Sequence, residues 1–148
     1  MKLDAEGKKQ VIRNIFEHGW NQSRYDSFSD FLEESVFLNF RGTRHVTNLD
    51  ELKSLVAFWK AAFPDLTFQI LDIIVETDLA AANLVFTGTH EGEWQGIPPS
   101  GQEITVEEMM FFRFENGKLV ELWEVYDEAA MLDQIKQAGG TPTGVDET

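Results

Sequence analysis

The sequence predicts an α+β domain in which helices come first and a curved antiparallel sheet follows. Three observations predict it. Ile12, Ile15, Phe16 and Trp20 recur at the spacing of one helical face. From Phe68 onward, β-branched and apolar runs alternate with turn residues, and Glu115-Asn116-Gly117 is the strongest hairpin signal. The later runs are apolar on both strand faces, as in Met109-Met110-Phe111-Phe112. One face must meet the helices, and the other is left for a partner subunit.

Taken in order, the first third is helical, and Tyr25, Phe28 and Leu32 suggest a second, shorter helix. Residues 36–40 read as a short strand. Asn48 followed by Glu51 resembles a capping box, and Leu52, Leu55, Val56, Trp59 and Phe63 continue the helical period until Pro64, which lacks an N–H, ends it. Strands follow over 68–76 and 80–90, then a Gly/Pro-rich loop over 91–101, then a hairpin of 103–114 with 118–126. A closing helix spans about 128–138 and stops at Gly139. Residues 1–140 form a single domain, and 141–148 lack apolar mass and read as a flexible tail. A sheet curled around helices leaves a cone whose mouth can hold a ligand.

Composition narrows the function classes. The chain has 148 residues, enough to bury one core. Acids outnumber bases 26 to 12, giving a net charge of −14, which disfavours nucleic acid and anionic membranes as partners. Absence of cysteine removes disulfides, thiolate nucleophiles and thiolate metal sites. His18, His45 and His90 are too scattered to suggest a metal site, and no phosphate-binding loop, GxSxG or HExxH motif occurs. With no signal-peptide pattern or apolar run of membrane-spanning length, a cytoplasmic location is expected.

Three strings carry a family resemblance. They are Ala61-Ala62-Phe63-Pro64-Asp65-Leu66; Thr87-Gly88-Thr89-His90-Glu91-Gly92-Glu93-Trp94-Gln95-Gly96-Ile97-Pro98-Pro99-Ser100-Gly101; and Glu115-Asn116-Gly117-Lys118-Leu119-Val120-Glu121-Leu122-Trp123 followed by Asp127. In this order and spacing the chain resembles the SnoaL-like polyketide cyclases of the nuclear transport factor 2-like superfamily. The resemblance implies a curved sheet wrapped around N-terminal helices, a cone-shaped barrel with an internal pocket, frequent homodimers and no cofactor. It also implies that an aspartate, here Asp127, serves as acid/base in an intramolecular aldol ring closure. The chain departs from the family at Asn39-Phe40, where an Asp-His pair is common. It departs again at Met109, Phe111 and Arg113, where polar residues including histidine are usual.

The candidate chemistry centres on Asp127, Arg113 and His90. A carboxylate in an apolar pocket can remove a proton beside a carbonyl and return one to the new alkoxide, because desolvation raises its pKa. Asp127 also stands where the helix beginning at Glu128 wants an N-cap, and the two roles are compatible. Glu121, Trp123 and Asp127 share strand parity. A two-residue turn at Asn116-Gly117 puts Arg113 on the opposite face, whereas a three-residue turn puts it beside Glu121 and Trp123; the latter is favoured. His90 is either an acid or hydrogen-bond donor to the substrate, or a partner for the adjacent loop backbone. Of Glu107-Glu108, one faces each side of its strand. Trp123, Glu121, Phe40, Asn39, Trp20, Trp59, Phe111 and Met109 are the expected pocket lining.

Three functions fit: an enzyme acting without cofactor on an apolar, polyketide-like carbonyl compound, a binding protein for a small apolar or aromatic molecule, or a dimeric scaffold whose cone is filled by its own side chains. The enzyme is preferred.

Overall fold

A computed structural model describes residues 2–136. The tail expected over 141–148 and the helix end expected at Gly139 lie outside them. Helix α1 (Ala5–Asn14) is opened by Asp4, whose Oδ1 accepts the Gly7 N–H at 2.7 Å, and buries Val11 and Ile12. It runs on into a π-helical turn over Ile15–Trp20, which turns Ile15 and Phe16 into the core. Asn21 then exchanges two hydrogen bonds with the backbone of Phe68, at 2.7 and 2.9 Å, and so ties the helical layer to the sheet.

The second helical segment is shorter than the spacing suggests. After a single 3-10 turn (Tyr25–Ser27) and helix α2 (Phe28–Phe31), the chain is extended from Leu32, so strand β1 (Leu32–Phe40) begins four residues before the sequence signal. Strand β2 (Thr43–Asn48) has no sequence counterpart. It is an edge strand exposed at every position except Thr47, and it lacks the apolar alternation that marks a half-buried strand. Helix α3 (Leu49–Ala62) is capped by Asn48, whose Oδ1 accepts the Glu51 N–H at 2.9 Å, and it ends before Pro64. The Glu51 side chain departs from a full capping box by accepting the Thr47 hydroxyl at 3.0 Å.

Strands β3 (Thr67–Glu76), β4 (Leu79–Thr89), β5 (Glu103–Glu115) and β6 (Lys118–Tyr126) complete a six-stranded sheet of order β2-β1-β6-β5-β4-β3. All neighbours are antiparallel except β1 and β6, which are parallel, so the sheet is mixed where a wholly antiparallel one is expected from hairpins alone. Interruptions of register between Leu32 and Phe37, Ile70 and Asp72, and Arg113 and Phe114 bend the strands toward the helices. Helix α4 (Glu128–Lys136) closes the described chain and buries Met131 and Ile135. Phe63, Phe86, Phe112 and Phe114 are fully buried between sheet and helices. No described helix is long and apolar enough to cross a membrane.

The β5–β6 turn decides which side chains share a face. Glu115 pairs with Lys118, so the loop is the two-residue Asn116-Gly117, and both residues have positive φ as a type I′ turn requires. The favoured three-residue loop is therefore absent. Arg113 nonetheless pairs with Glu121, because the strand irregularity at Val120 shifts the register by one after Leu119. A bulge thus performs the face switch that the sequence reading assigns to loop length.

Candidate functional site

The inner face of β5 and β6 carries Glu108, Met110 and Phe112 beside Tyr126, Glu124 and Leu122. Leu52, Leu55 and Trp59 of α3 and Ile15, Phe16 and Trp20 of the π-helical turn face them across a narrow cavity of about 70 Å³. Two carboxylates sit in this otherwise apolar wall. Glu108 lies opposite Tyr126 and Glu124 opposite Met110, so the two glutamates are diagonal neighbours on one face. Glu108 is only 5% exposed, and neither carboxylate forms a hydrogen bond or ion pair with a described residue.

The electrostatic consequence is direct. Burial raises the Glu108 pKa well above the carboxylate range, and the nearby Glu124 charge raises it further. Burial lifts Glu124 to about 7. Tyr126 is pushed up to about 12 by burial, then by Glu124; Arg41 acts in the opposite sense. Two acids that cannot both ionise cheaply titrate as a pair in two steps, and between those steps they hold one proton together.

At the rim, Phe40 stacks on Tyr126 with ring centroids 5.5 Å apart and planes 8° from parallel. Arg41, in the turn after β1, pairs with Glu128, and the Tyr126 hydroxyl lies 3.5 Å from the same carboxylate. Trp20, Trp59 and Phe40 therefore stand in or beside the cavity.

The other expected residues stand elsewhere. Asn39, Met109, Phe111, Arg113, Glu121 and Trp123 are on the opposite, outer face of the sheet, where the alternation of a strand places every neighbour of an inward residue. There Glu121 is buried among donors. Asn39 donates to it at 3.0 Å, Arg44 at 3.0 Å and Arg113 at 3.0 and 3.2 Å, while Arg113 also reaches Glu115 at 2.6 Å. Burial alone would raise the Glu121 pKa, but these hydrogen bonds and the Arg44 charge bring it below its usual value. Glu121 is a satisfied anion, unlike the two inner glutamates.

Asp127 follows the last strand residue, is exposed, and caps α4: its Oδ1 accepts the Ala130 N–H at 3.0 Å. Asp127→Asn is expected to leave thermal stability nearly unchanged, whereas Asp127→Ala loses about 1 kcal/mol, read by thermal denaturation. Equal losses in both variants would contradict the capping role.

His90 is fully buried in the loop after β4, away from the cavity lining. Its Nδ1 accepts the Ser100 N–H at 3.1 Å and lies 2.9 Å from the Ser100 hydroxyl, while its backbone exchanges hydrogen bonds with Gln102 and Gly101. Burial lowers its pKa, partly offset by the Gly92 backbone, so the ring is a neutral loop partner. The same loop sends Trp94 against Trp59, 4.4 Å between centroids, and closes the end of α3.

The sequence hides this pair of inner glutamates for a simple reason. Glu107 and Glu108 point to opposite faces, and which is inward depends on the sheet's curvature. Glu124 follows Trp123, and only the Val120 bulge fixes its side. Parity with Leu122 and Tyr126 is the available signal for it.

Comparison with known proteins places the chain. The sequence profile of the SnoaL-like polyketide cyclases matches residues 10–135. The chain belongs to the SnoaL-like polyketide cyclase family. No curated protein sequence matches it significantly. Among solved structures, this SnoaL-like chain superposes on AclR of Streptomyces galilaeus with a TM-score of 0.81 at 23% identity, covering 94% of this chain and 87% of AclR. TsrD of Streptomyces laurentii gives 0.80 at 22%, covering 90% and 98%. A SnoaL-like polyketide cyclase of Agrobacterium tumefaciens gives 0.74 at 22%, covering 90% and 99%. At such identities the likeness extends to the fold of this SnoaL-like domain, a curved sheet with N-terminal helices.

Proposed function

We propose that this SnoaL-like protein is an acid/base enzyme acting on a small, largely apolar carbonyl compound, with Glu108 and Glu124 as the proton-handling pair. The observation that carries this reading is the presence of two unpartnered carboxylates in one aromatic cavity, Glu108 buried and Glu124 half-buried, both with raised pKa. Nothing in the fold's stability calls for them, since burying an unpaired acid is costly. Acid/base catalysis near neutral pH does call for such groups.

In the singly protonated pair, the ionised carboxylate takes a proton from the carbon beside the carbonyl. The protonated partner gives its proton to the carbonyl oxygen, forming an enol. Ring closure or isomerisation follows when the enol carbon attacks an electrophile or is reprotonated. The pair begins and ends with one shared proton, and the scheme uses side chains alone.

The test is solvent deuterium exchange at the α-carbons of a panel of small cyclic ketones and β-dicarbonyl compounds, followed by proton NMR. Enzyme-dependent exchange that rises with pH through about 7 supports the reading; exchange no faster than with a denatured control counts against it.

A homodimer through the outer face is part of this proposal. Ile74, Met109, Phe111 and Val125 are 58–70% exposed there and line a shallow apolar concavity, a contiguous apolar patch of the kind that marks a protein interface. Sedimentation velocity should give a dimer for the wild type and a monomer for Phe111→Asp. A monomeric wild type at tens of micromolar would remove the dimer from the account.

A further inference from the structure

The acid/base reading leaves open what kind of molecule the cavity selects, and the walls carry a more specific message. Among the described residues lining the cavity there is no Lys, Arg or His. Glu108, Glu124 and Tyr126 are its ionisable groups. The elements packed against them, α3, the π-helical turn and β4, contribute only apolar side chains. The nearest influential cation, Arg41, is at the rim and is already paired with Glu128.

Beside the acids, three rings pack edge to face. Trp59 meets Phe86 at 84°, Trp59 meets Tyr126 at 74°, and Phe86 meets Tyr126 at 70°, with centroids 5.6, 5.8 and 5.7 Å apart. Rings in edge-to-face contact at these distances pack on one another, so the trio forms a closed apolar wall beside the two acids.

We propose that the cavity selects a small apolar molecule bearing one basic nitrogen, whose ammonium group sits between Glu108 and Glu124 and whose carbon body lies along the apolar wall. This rests on the reading that the two glutamates face a ligand in this cavity, and it names the ligand's charge. An anion would meet two acids and no counter-charge. A hard metal ion would find too few oxygens, and no three acidic or histidine side chains gather around a point among the described residues. An ammonium group supplies the missing positive charge as a hydrogen-bond donor, and its apolar remainder suits the rest of the wall. The chain's net charge of −14 favours encounter with a cation as well.

Binding such a cation stabilises the ionised form of the pair, so it expels a proton to solvent. A neutral ketone is held by a carboxylic acid O–H and draws a proton in. The sign of the proton linkage separates the two.

The experiment compares cyclopentylamine, cyclopentanone and cyclopentanecarboxylate by titration calorimetry near pH 6.5, in two buffers of different ionisation enthalpy. The amine is expected to bind at least about tenfold tighter than the ketone, with net proton release, and the carboxylate not at all. Glu108→Gln and Glu124→Gln should each weaken amine binding by about tenfold or more. Tighter binding of the ketone, with proton uptake, would overturn the cation proposal and leave the acid/base reading standing. Amine binding unchanged in both variants would place the amine elsewhere and overturn the proposal. If none of the three binds, both readings fall.

Discussion

Glu124→Gln is expected to make the protein more stable at pH 8 and to remove its proton-transfer activity. The stability half follows from linkage. An unfolded glutamate has its ordinary pKa near 4.5, whereas in the fold Glu124 is lifted to about 7. The folded state therefore holds this proton more tightly than the unfolded state does. Stability is greatest at low pH as far as this group is concerned, and it falls as pH rises from about 4.5 through about 7. Lifting the carboxyl from 4.5 to about 7 corresponds to roughly 3 kcal/mol as an upper figure. Glutamine cannot ionise, so the variant avoids that loss, and its Tm at pH 8 should exceed that of the wild type by about 3–8 °C. Glu108→Gln should act in the same direction, because burial and the Glu124 charge both raise its pKa. The double variant should gain less than the sum, since part of the Glu108 penalty is repulsion from the Glu124 carboxylate. The activity half follows from the proposed roles. Loss of either member leaves a step without its proton donor or acceptor, which costs about 10²- to 10⁴-fold in α-carbon exchange. A variant that is less stable at pH 8 and fully active would contradict both halves.

Gly92→Ala is expected to be among the most damaging single-methyl additions the chain can suffer. The carbonyl of Ala62, the last residue of α3, accepts the N–H groups of both Glu91 and Gly92, at 2.9 and 3.0 Å. That double bond draws the loop backbone onto the helix end so closely that a Cβ on Gly92 would lie 2.2 Å from the Ala61 carbonyl oxygen and 3.0 Å from the Ala62 Cα. These are backbone atoms and cannot swing aside. The loop must lift, breaking the cap on α3 and loosening Trp94, which is 2% exposed and packs on Trp59 and Phe63. A loss of about 3 kcal/mol or more, or a fall in Tm of about 6–12 °C, is expected in thermal denaturation. A change within 1–2 °C would mean that the loop does not hold α3 in this way.

Gly92 also shows what the sequence made legible. The segment around it carries the strongest family resemblance, and its role is architectural: it closes α3 and holds Trp94 and His90 in place. The helical stripe through Ile12, Ile15 and Phe16, the Asn48 cap, the stop before Pro64 and the place of the turn at Asn116-Gly117, though not its two-residue length, were readable, because each depends on local spacing or on one residue's backbone preference. Strand β2 was not, because an exposed edge strand carries no burial pattern.

The face assignments failed to emerge for a related reason. Strands β5 and β6 are apolar on both sides, so alternation alone offers two equivalent answers, and the Val120 bulge then reverses the simple count from the turn. Met109, Phe111, Trp123 and Glu121 consequently fall on the outer face, and Glu108 and Glu124 fall inside. The carboxylate chemistry expected at Asp127 has a counterpart in the cavity, on residues whose inward direction is a property of the folded sheet.

The central claim is that Glu108 and Glu124 share one apolar cavity and resist ionisation there. The most direct test is carbon-detected NMR of glutamate side-chain carboxyls across pH 3–10, with Glu108→Gln and Glu124→Gln used to assign the two resonances. The account predicts one carboxyl titrating at about 7 and the other well above the ordinary range, with the Glu108 carboxyl shifting toward lower pH when Glu124 is replaced. Two carboxyls titrating near 4.5, each indifferent to the other's replacement, would contradict it.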